Sequence, residues 1–204
     1  MAVHVKICGV TTIRDALLCV REGATIGLNF VPESPRCISV QHARTIADAV
    51  GGRALLVGVV RDMTLEGMLA LKAEVGLGCL QLHGDETPEV LGRLLPHAYK
   101  ALRVGSEEDV SRASLFPGEH LLVDAKVGSA LGGTGVCLDW TLIDGLARTR
   151  KLTLAGGLNP ENVTEAIRRV RPFCVDVASG VERAPGVKDP SLVAAFMSAA
   201  RRAG

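Results

Sequence analysis

Short runs of aliphatic and β-branched residues recur along the chain, separated by longer stretches in which apolar residues return every third or fourth position. The short runs predict strands at Val3 to Ile7, Thr25 to Asn29, Ala54 to Val60, Cys79 to His83, Tyr99 to Arg103, Leu121 to Asp124, Leu152 to Ala155 and Cys174 to Val177. The longer stretches predict amphipathic helices at Ile13 to Glu22, Ala43 to Val50, Leu65 to Ala73, Pro88 to Leu95, Asn162 to Val170 and Leu192 to Arg202. Thr87-Pro88 and Asn159-Pro160-Glu161-Asn162 carry helix-start signals. The units after the fifth and sixth strands leave a weaker pattern. Eight strands in 204 residues make about one βα unit per 25 residues.

Two folds repeat βα units in this way, a closed (β/α)8 barrel and a doubly wound open sheet. Alternation within the strands separates them. His4, Lys6 and Cys8 share one face of the first strand, while Val3, Val5 and Ile7 share the other. Cys79, Gln81 and His83 oppose Leu80 and Leu82, and Cys174 and Asp176 oppose Val175 and Val177. An open sheet lies under helices on both faces and needs both to be apolar. A barrel needs one oily face and tolerates polar side chains inside, near its C-terminal mouth. The expected fold is therefore a single (β/α)8 TIM barrel spanning residues 1–204, with the active site at the C-terminal ends of the strands. Cys8, Asn29, His83, Asp124 and Asp176 would meet at that mouth.

Charge and composition narrow the ligand. The 23 basic residues nearly balance the 22 acidic ones and are scattered, which argues against a nucleic-acid groove or an anionic membrane surface. No apolar run is long enough to span a bilayer, and the N-terminus lacks a secretory pattern, so a cytoplasmic protein is expected. The six cysteines stand apart, with no C-x-x-C pair and no zinc-ligand spacing; reduced thiols, mostly in the core, and no bound metal are expected.

Two glycine-containing loops follow the last two strands: Ala155-Gly156-Gly157-Leu158-Asn159 and Ala178-Ser179-Gly180-Val181-Glu182. Glycine lets backbone N–H groups approach an anion, and barrels often seat phosphate between these two loops. Gly156, Gly157, Ser179 and Gly180 are thus candidate phosphate ligands, each loop alone being equally compatible with a tight turn. A sugar isomerisation needs an acid for the ring oxygen and a base for a carbon-bound proton. Cys8, with Lys6 on the same strand face to lower its pKa, and Asp124, with apolar surroundings to raise its own, are the candidates. A packing thiol and a loop-bonding carboxylate remain open alternatives.

Lys6-Ile7-Cys8-Gly9, Asn29-Phe30 with Ser34-Pro35-Arg36, Gln81-Leu82-His83-Gly84, Gly133-Thr134-Gly135 with Asp139-Trp140, Ala155-Gly156-Gly157-Leu158, Asp176-Val177 with Ser179-Gly180-Val181-Glu182, and Pro185-Gly186-Val187-Lys188-Asp189 together resemble the phosphoribosylanthranilate isomerase family. The resemblance implies an Amadori rearrangement of N-(5-phosphoribosyl)anthranilate in tryptophan biosynthesis, with a small phosphoribosyl substrate and no cofactor. It implies Asp124 as general acid, Cys8 as general base and Arg36 as partner of the anthranilate carboxylate. His83 and Asp176 enter as substrate-binding candidates, His83 being equally compatible with a packing role. Ala178 stands where a small or hydroxyl residue is usual, and Val60-Arg61-Asp62 departs from the family's usual third-strand ending. The alternatives are another phosphosugar barrel isomerase, against which Cys8 counts because an aspartate is expected there, and a non-catalytic phosphosugar-binding module. Monomer and homodimer are left undecided.

Overall fold

A computed structural model describes residues 3–104, 106–124 and 140–203. Eight strands, β1 (His4–Cys8), β2 (Thr25–Asn29), β3 (Leu56–Val60), β4 (Cys79–Leu82), β5 (Ala98–Arg103), β6 (His120–Asp124), β7 (Lys151–Ala155) and β8 (Cys174–Val177), pair in sequence order as a closed barrel. Every neighbouring pair is parallel, and β8 returns to β1. Closure excludes the open sheet.

Around the barrel run α1 (Ile13–Glu22), α2 (Val40–Val50), α3 (Leu65–Val75), α4 (Pro88–Leu94), α5 (Glu107–Ala113), α6 (Trp140–Thr149), α7 (Val163–Val170) and α8 (Pro190–Ala203). Local chemistry fixes their starts. The side chains of Thr12, Ser39, Thr64, Thr87 and Ser106 each accept from the amide three residues on, satisfying a donor the helix itself leaves free. Ser39 therefore begins α2 three residues ahead of the apolar periodicity. Asn162 precedes α7 without a capping side-chain bond; Asn159 Oδ1 instead accepts from the amides of Glu161 and Asn162.

One feature has no counterpart in the expected plan. Between β8 and α8 lie a single 3₁₀ turn (Ser179–Val181) and an antiparallel hairpin, β9 (Glu182–Ala184) with β10 (Val187–Lys188). The hairpin is anchored on the β1–α1 connection and the first turn of α1: Thr11 donates its hydroxyl to the Gly186 carbonyl, and the Lys188 amide donates to Asp15 Oδ2 at 3.2 Å.

The strand alternation holds. Ile7, Ile26, Leu28, Val60, Leu80, Leu82, Leu121, Leu152, Leu154 and Val175 are sealed between barrel and helices in the main core. The inward positions Val57, Tyr99, Ala101 and Leu122 form a second cluster inside the barrel. Tyr99 there donates to Gln81 Oε1 at 2.9 Å. Gly133-Thr134-Gly135, Cys137 and Asp139 lie outside the described residues; the five described cysteines are free, with Cys19 and Cys174 buried but Cys37 exposed. Among the described residues no helix is long and apolar enough to cross a membrane.

Candidate active site

The inward face of each strand delivers its last side chain to one mouth. Cys8 closes β1, Asp124 closes β6, Asp176 sits within β8, and His83 follows β4 by one residue; all line the same cavity as Gly156, Gly157 and Ser179. Of the residues predicted for the site, Arg36 and Gly180 are the two that stand behind this lining.

One side of the cavity is built from glycine geometry. Gly156 and Gly157 have φ of 102° and 66°, a left-handed backbone that side chains resist. The Asn162 side-chain amide donates to the Gly157 carbonyl at 3.0 Å, fixing the loop. Gly180 brings the second loop against the first so closely that a Cβ there would collide with the Leu158 carbonyl oxygen. The second loop does not open directly into a long helix: α8 begins at Pro190, after the hairpin. The 3₁₀ turn at Ser179–Val181 takes that place, as the short extra helix does in many phosphate-binding barrels.

Cys8 lies over a buried ion pair. Lys6, two residues earlier on the same face, is the register partner of Asp176, and its Nζ donates to Asp176 Oδ2 at 2.7 Å. Gly27 on β2 provides the room, since a Cβ there would stand 3.0 Å from both Cys8 Sγ and Lys6 Cε. Burial opposes the charged form of Lys6, but attraction to Asp176 holds the ammonium well above the ordinary lysine range. The expectation that Lys6 lowers the Cys8 pKa needs correcting in its net result. Burial pushes the thiol up, Lys6 and Lys188 pull it down, Asp176 pushes it up, and the sum lies above the ordinary value. Lys6 does not dominate, because burial outweighs its pull and its charge is already paired with a carboxylate. Asp176 Oδ1 is buried with no hydrogen-bond partner among the described residues.

Asp124 is half-buried, flanked in register by Arg103 on β5 and Ala155 on β7. His83 is open to the cavity. Its imidazole is nevertheless held below its ordinary value, first by the poorly solvated concave wall and then by Lys6, with Asp124 and Asp176 opposing. Sequence reasoning left out Arg103, an exposed guanidinium lining the cavity; its inward parity on β5 was the available signal.

Arg36 comes from the β2–α2 loop. Its side chain crosses Gly9, where a Cβ would overlap its Cδ. Its Nε donates to Glu182 Oε1 at 2.9 Å and its Nη2 to Glu182 Oε2 at 2.6 Å, while Nη1 takes no part in that pair. Burial would raise the Glu182 carboxyl, but bonds from Arg36 and Lys188 hold it below the ordinary carboxylate range. The departing Arg61-Asp62 segment is tied down separately: Glu86 accepts from the Asp62 and Gly84 amides and from Lys100 Nζ at 2.8 Å. Both partners of that Lys100–Glu86 pair are buried.

Residues 5–199 match the family model described as N-(5'phosphoribosyl)anthranilate (PRA) isomerase. An N-(5'-phosphoribosyl)anthranilate isomerase of Magnetococcus marinus is 39% identical over 204 residues, covering 100% of this chain and 97% of the relative. The crystal structure of phosphoribosyl anthranilate isomerase from Thermotoga maritima is 42% identical and superposes with a TM-score of 0.87, over 98% of this chain and 99% of that one. A crystal structure of such an isomerase in complex with reduced 1-(o-carboxyphenylamino)-1-deoxyribulose 5-phosphate is 39% identical, with a TM-score of 0.86 and the same coverage.

Proposed function

The chain belongs to the N-(5'-phosphoribosyl)anthranilate isomerase family, and from that premise we propose that Cys8 and Asp124 are the base and acid of its reaction. The enzyme catalyses the Amadori rearrangement of N-(5-phosphoribosyl)anthranilate to 1-(2-carboxyphenylamino)-1-deoxyribulose 5-phosphate in tryptophan biosynthesis. The observation that carries the assignment of roles is the common cavity onto which Cys8, Asp124 and the two phosphate loops all open.

The chemistry divides into two proton transfers. Protonated Asp124 gives its proton to the furanose oxygen as the C1–O bond breaks, and the anilino nitrogen lone pair forms an iminium. The Cys8 thiolate then removes the C2 proton, whose bonding electrons neutralise the iminium to give an enolamine. Tautomerisation yields the ketone. The positive iminium both acidifies the C2–H and favours the thiolate, offsetting the upward push that burial gives Cys8.

The remaining residues orient the substrate. Backbone N–H groups around Gly156, Gly157 and Gly180, with the Ser179 hydroxyl, suit the phosphate. The unpartnered Asp176 Oδ1 suits a ribose hydroxyl, which would supply the donor it lacks. His83 faces the same cavity as a neutral hydrogen-bonding group. Arg36 suits the anthranilate carboxylate through the part of its guanidinium that Glu182 leaves free. A cytoplasmic location belongs to the same reading. The activity is tested by mixing purified protein with freshly made phosphoribosylanthranilate: its fluorescence should vanish at a rate proportional to enzyme, and an unchanged signal would refute the activity.

A further inference from the structure

The Pro185-Gly186-Val187-Lys188-Asp189 segment has no part in the proton transfers, yet it supplies a fully buried ammonium. Lys188 Nζ donates to the Cys8 carbonyl at 2.5 Å, to the Ala178 carbonyl at 3.2 Å and to Glu182 Oε1 at 2.8 Å, which accounts for all three of its donors. Its side chain is 0% exposed and that of Glu182 4%. The same carboxylate holds Arg36. One hairpin thus grips the backbone of Cys8, the residue preceding the phosphate-loop Ser179, and the Arg36 guanidinium.

We propose that Glu182 and Lys188 are positioning residues that fix Cys8 and Arg36 relative to the phosphate loop. Stability alone gives little reason for such a cluster, because a buried ion pair is often no better than well-packed apolar residues of similar volume. Geometry gives a stronger one. A substrate pinned by its phosphate presents its C2 proton at a fixed distance from that anchor, so the base must stand at a matching distance. Lys188 sets that distance by bonding Cys8 and Ala178 with one nitrogen. Glu182 is shared by two cations, so the cluster carries a net positive charge beside the thiol, in the sense that favours thiolate. The other charged groups acting on Cys8 are Lys6 on β1 and Asp176 on β8, with Arg36 nearby from the β2–α2 loop. The inference rests on Cys8 acting as base and Arg36 as carboxylate partner.

The test uses Lys188→Met, Glu182→Gln and Cys8→Ala in the full chain, with fold checked by circular dichroism. The first readout is steady-state kcat and KM. The second is iodoacetamide alkylation of the peptide carrying Cys8 as a function of pH, which needs no turnover. A displacement of about 1 Å at a reacting group can cost ~10²-fold. Lys188→Met should therefore lower kcat by ~10–100-fold and move the Cys8 alkylation midpoint to higher pH. Glu182→Gln, which keeps shape but removes the charge holding Arg36, should mainly raise KM, by roughly tenfold. A folded Lys188→Met with kcat within about twofold of the parent and an unmoved alkylation profile overturns the proposal. If Lys188→Met does not fold, Glu182→Gln decides, and an unchanged KM overturns it. Cys8→Ala separates the two layers: full kcat in that variant refutes the base assignment, whereas a lost kcat there beside an unaffected Lys188→Met refutes only the positioning role.

Discussion

Lys6 and Asp176 face each other across the β1–β8 pairing, and the 2.7 Å bond between them is buried beneath the Cys8 thiol. Breaking it from one side strands a charge. Lys6→Met should destabilise the fold by ~3–5 kcal/mol in urea unfolding, and adding Asp176→Leu should return part of that loss. The thiol responds in a defined direction. Lys6 stabilises the thiolate and Asp176 opposes it, so Lys6→Met must raise the Cys8 pKa. In the parent protein, alkylation of Cys8 should rise with pH through a midpoint above the ordinary thiol value of about 8.5, and in Lys6→Met through a higher one. A midpoint below that value in the parent would show that burial is not the dominant influence.

His120 closes the opposite end of the barrel. It stacks on Tyr99 with ring centroids 4.3 Å apart, and its Nε2 lies 2.6 Å from Thr153 Oγ1. Burial, followed by Lys151, Lys6, Arg150 and His4, lowers its pKa to about 4. The neutral ring is therefore the folded form. Its contribution is fully present above the unfolded histidine value of about 6.5 and is lost as pH falls through the folded value. An NMR titration should find the His120 midpoint near 4. A midpoint near 6.5 would mean that the ring is solvated.

What the sequence made legible was whatever a local period or a short motif records. Eight strands and the inward parity of Lys6, Cys8 and Asp176 follow from alternation. Lys100 does not, because parity places it on the oily outer face of β5, where Glu86 and the Leu82 and Gly84 carbonyls, brought together by a loop, make that position tolerable. The same holds for Lys188 and Glu182: both were visible inside motifs, but nothing in the pattern says that they are buried or that Glu182 joins Lys188 to Arg36. The β9–β10 hairpin is too short for periodicity to reveal it, so the stretch between the Ser179 loop and the helix expected at Leu192 carried no element. The net direction of the Cys8 pKa was also hidden, since it depends first on how deeply the thiol is buried and then on how far Asp176 answers Lys6.

Gly180 and Leu158 carry a steric prediction. With no room for a Cβ against the Leu158 carbonyl, Gly180→Ala must push the two phosphate loops apart. Product-analogue affinity should fall at least ~10-fold, with the barrel still folded, because a loop shift disturbs the N–H groups before it disturbs the core. Calorimetric titration with unchanged affinity would detach these loops from phosphate binding.

Arg36→Met should raise KM for phosphoribosylanthranilate by ~10–100-fold, consistent with a lost charge-assisted bond, and leave inorganic phosphate affinity nearly unchanged. Competition by phosphate against the parent and the variant checks this. An equal loss of phosphate affinity would make Arg36 a phosphate ligand instead.

The division of labour between Cys8 and Asp124 is tested most directly by the turnover of Cys8→Ser and Asp124→Asn, measured with freshly prepared phosphoribosylanthranilate. Both substitutions nearly preserve shape while removing a proton acceptor or donor of the right strength: a serine hydroxyl rarely presents an anion, and an amide cannot give up a proton as a carboxylic acid does. Each should lower kcat by ~10²–10⁴-fold while product-analogue binding stays close to that of the parent. Near-parental kcat in either folded variant would contradict the division of labour between Cys8 and Asp124.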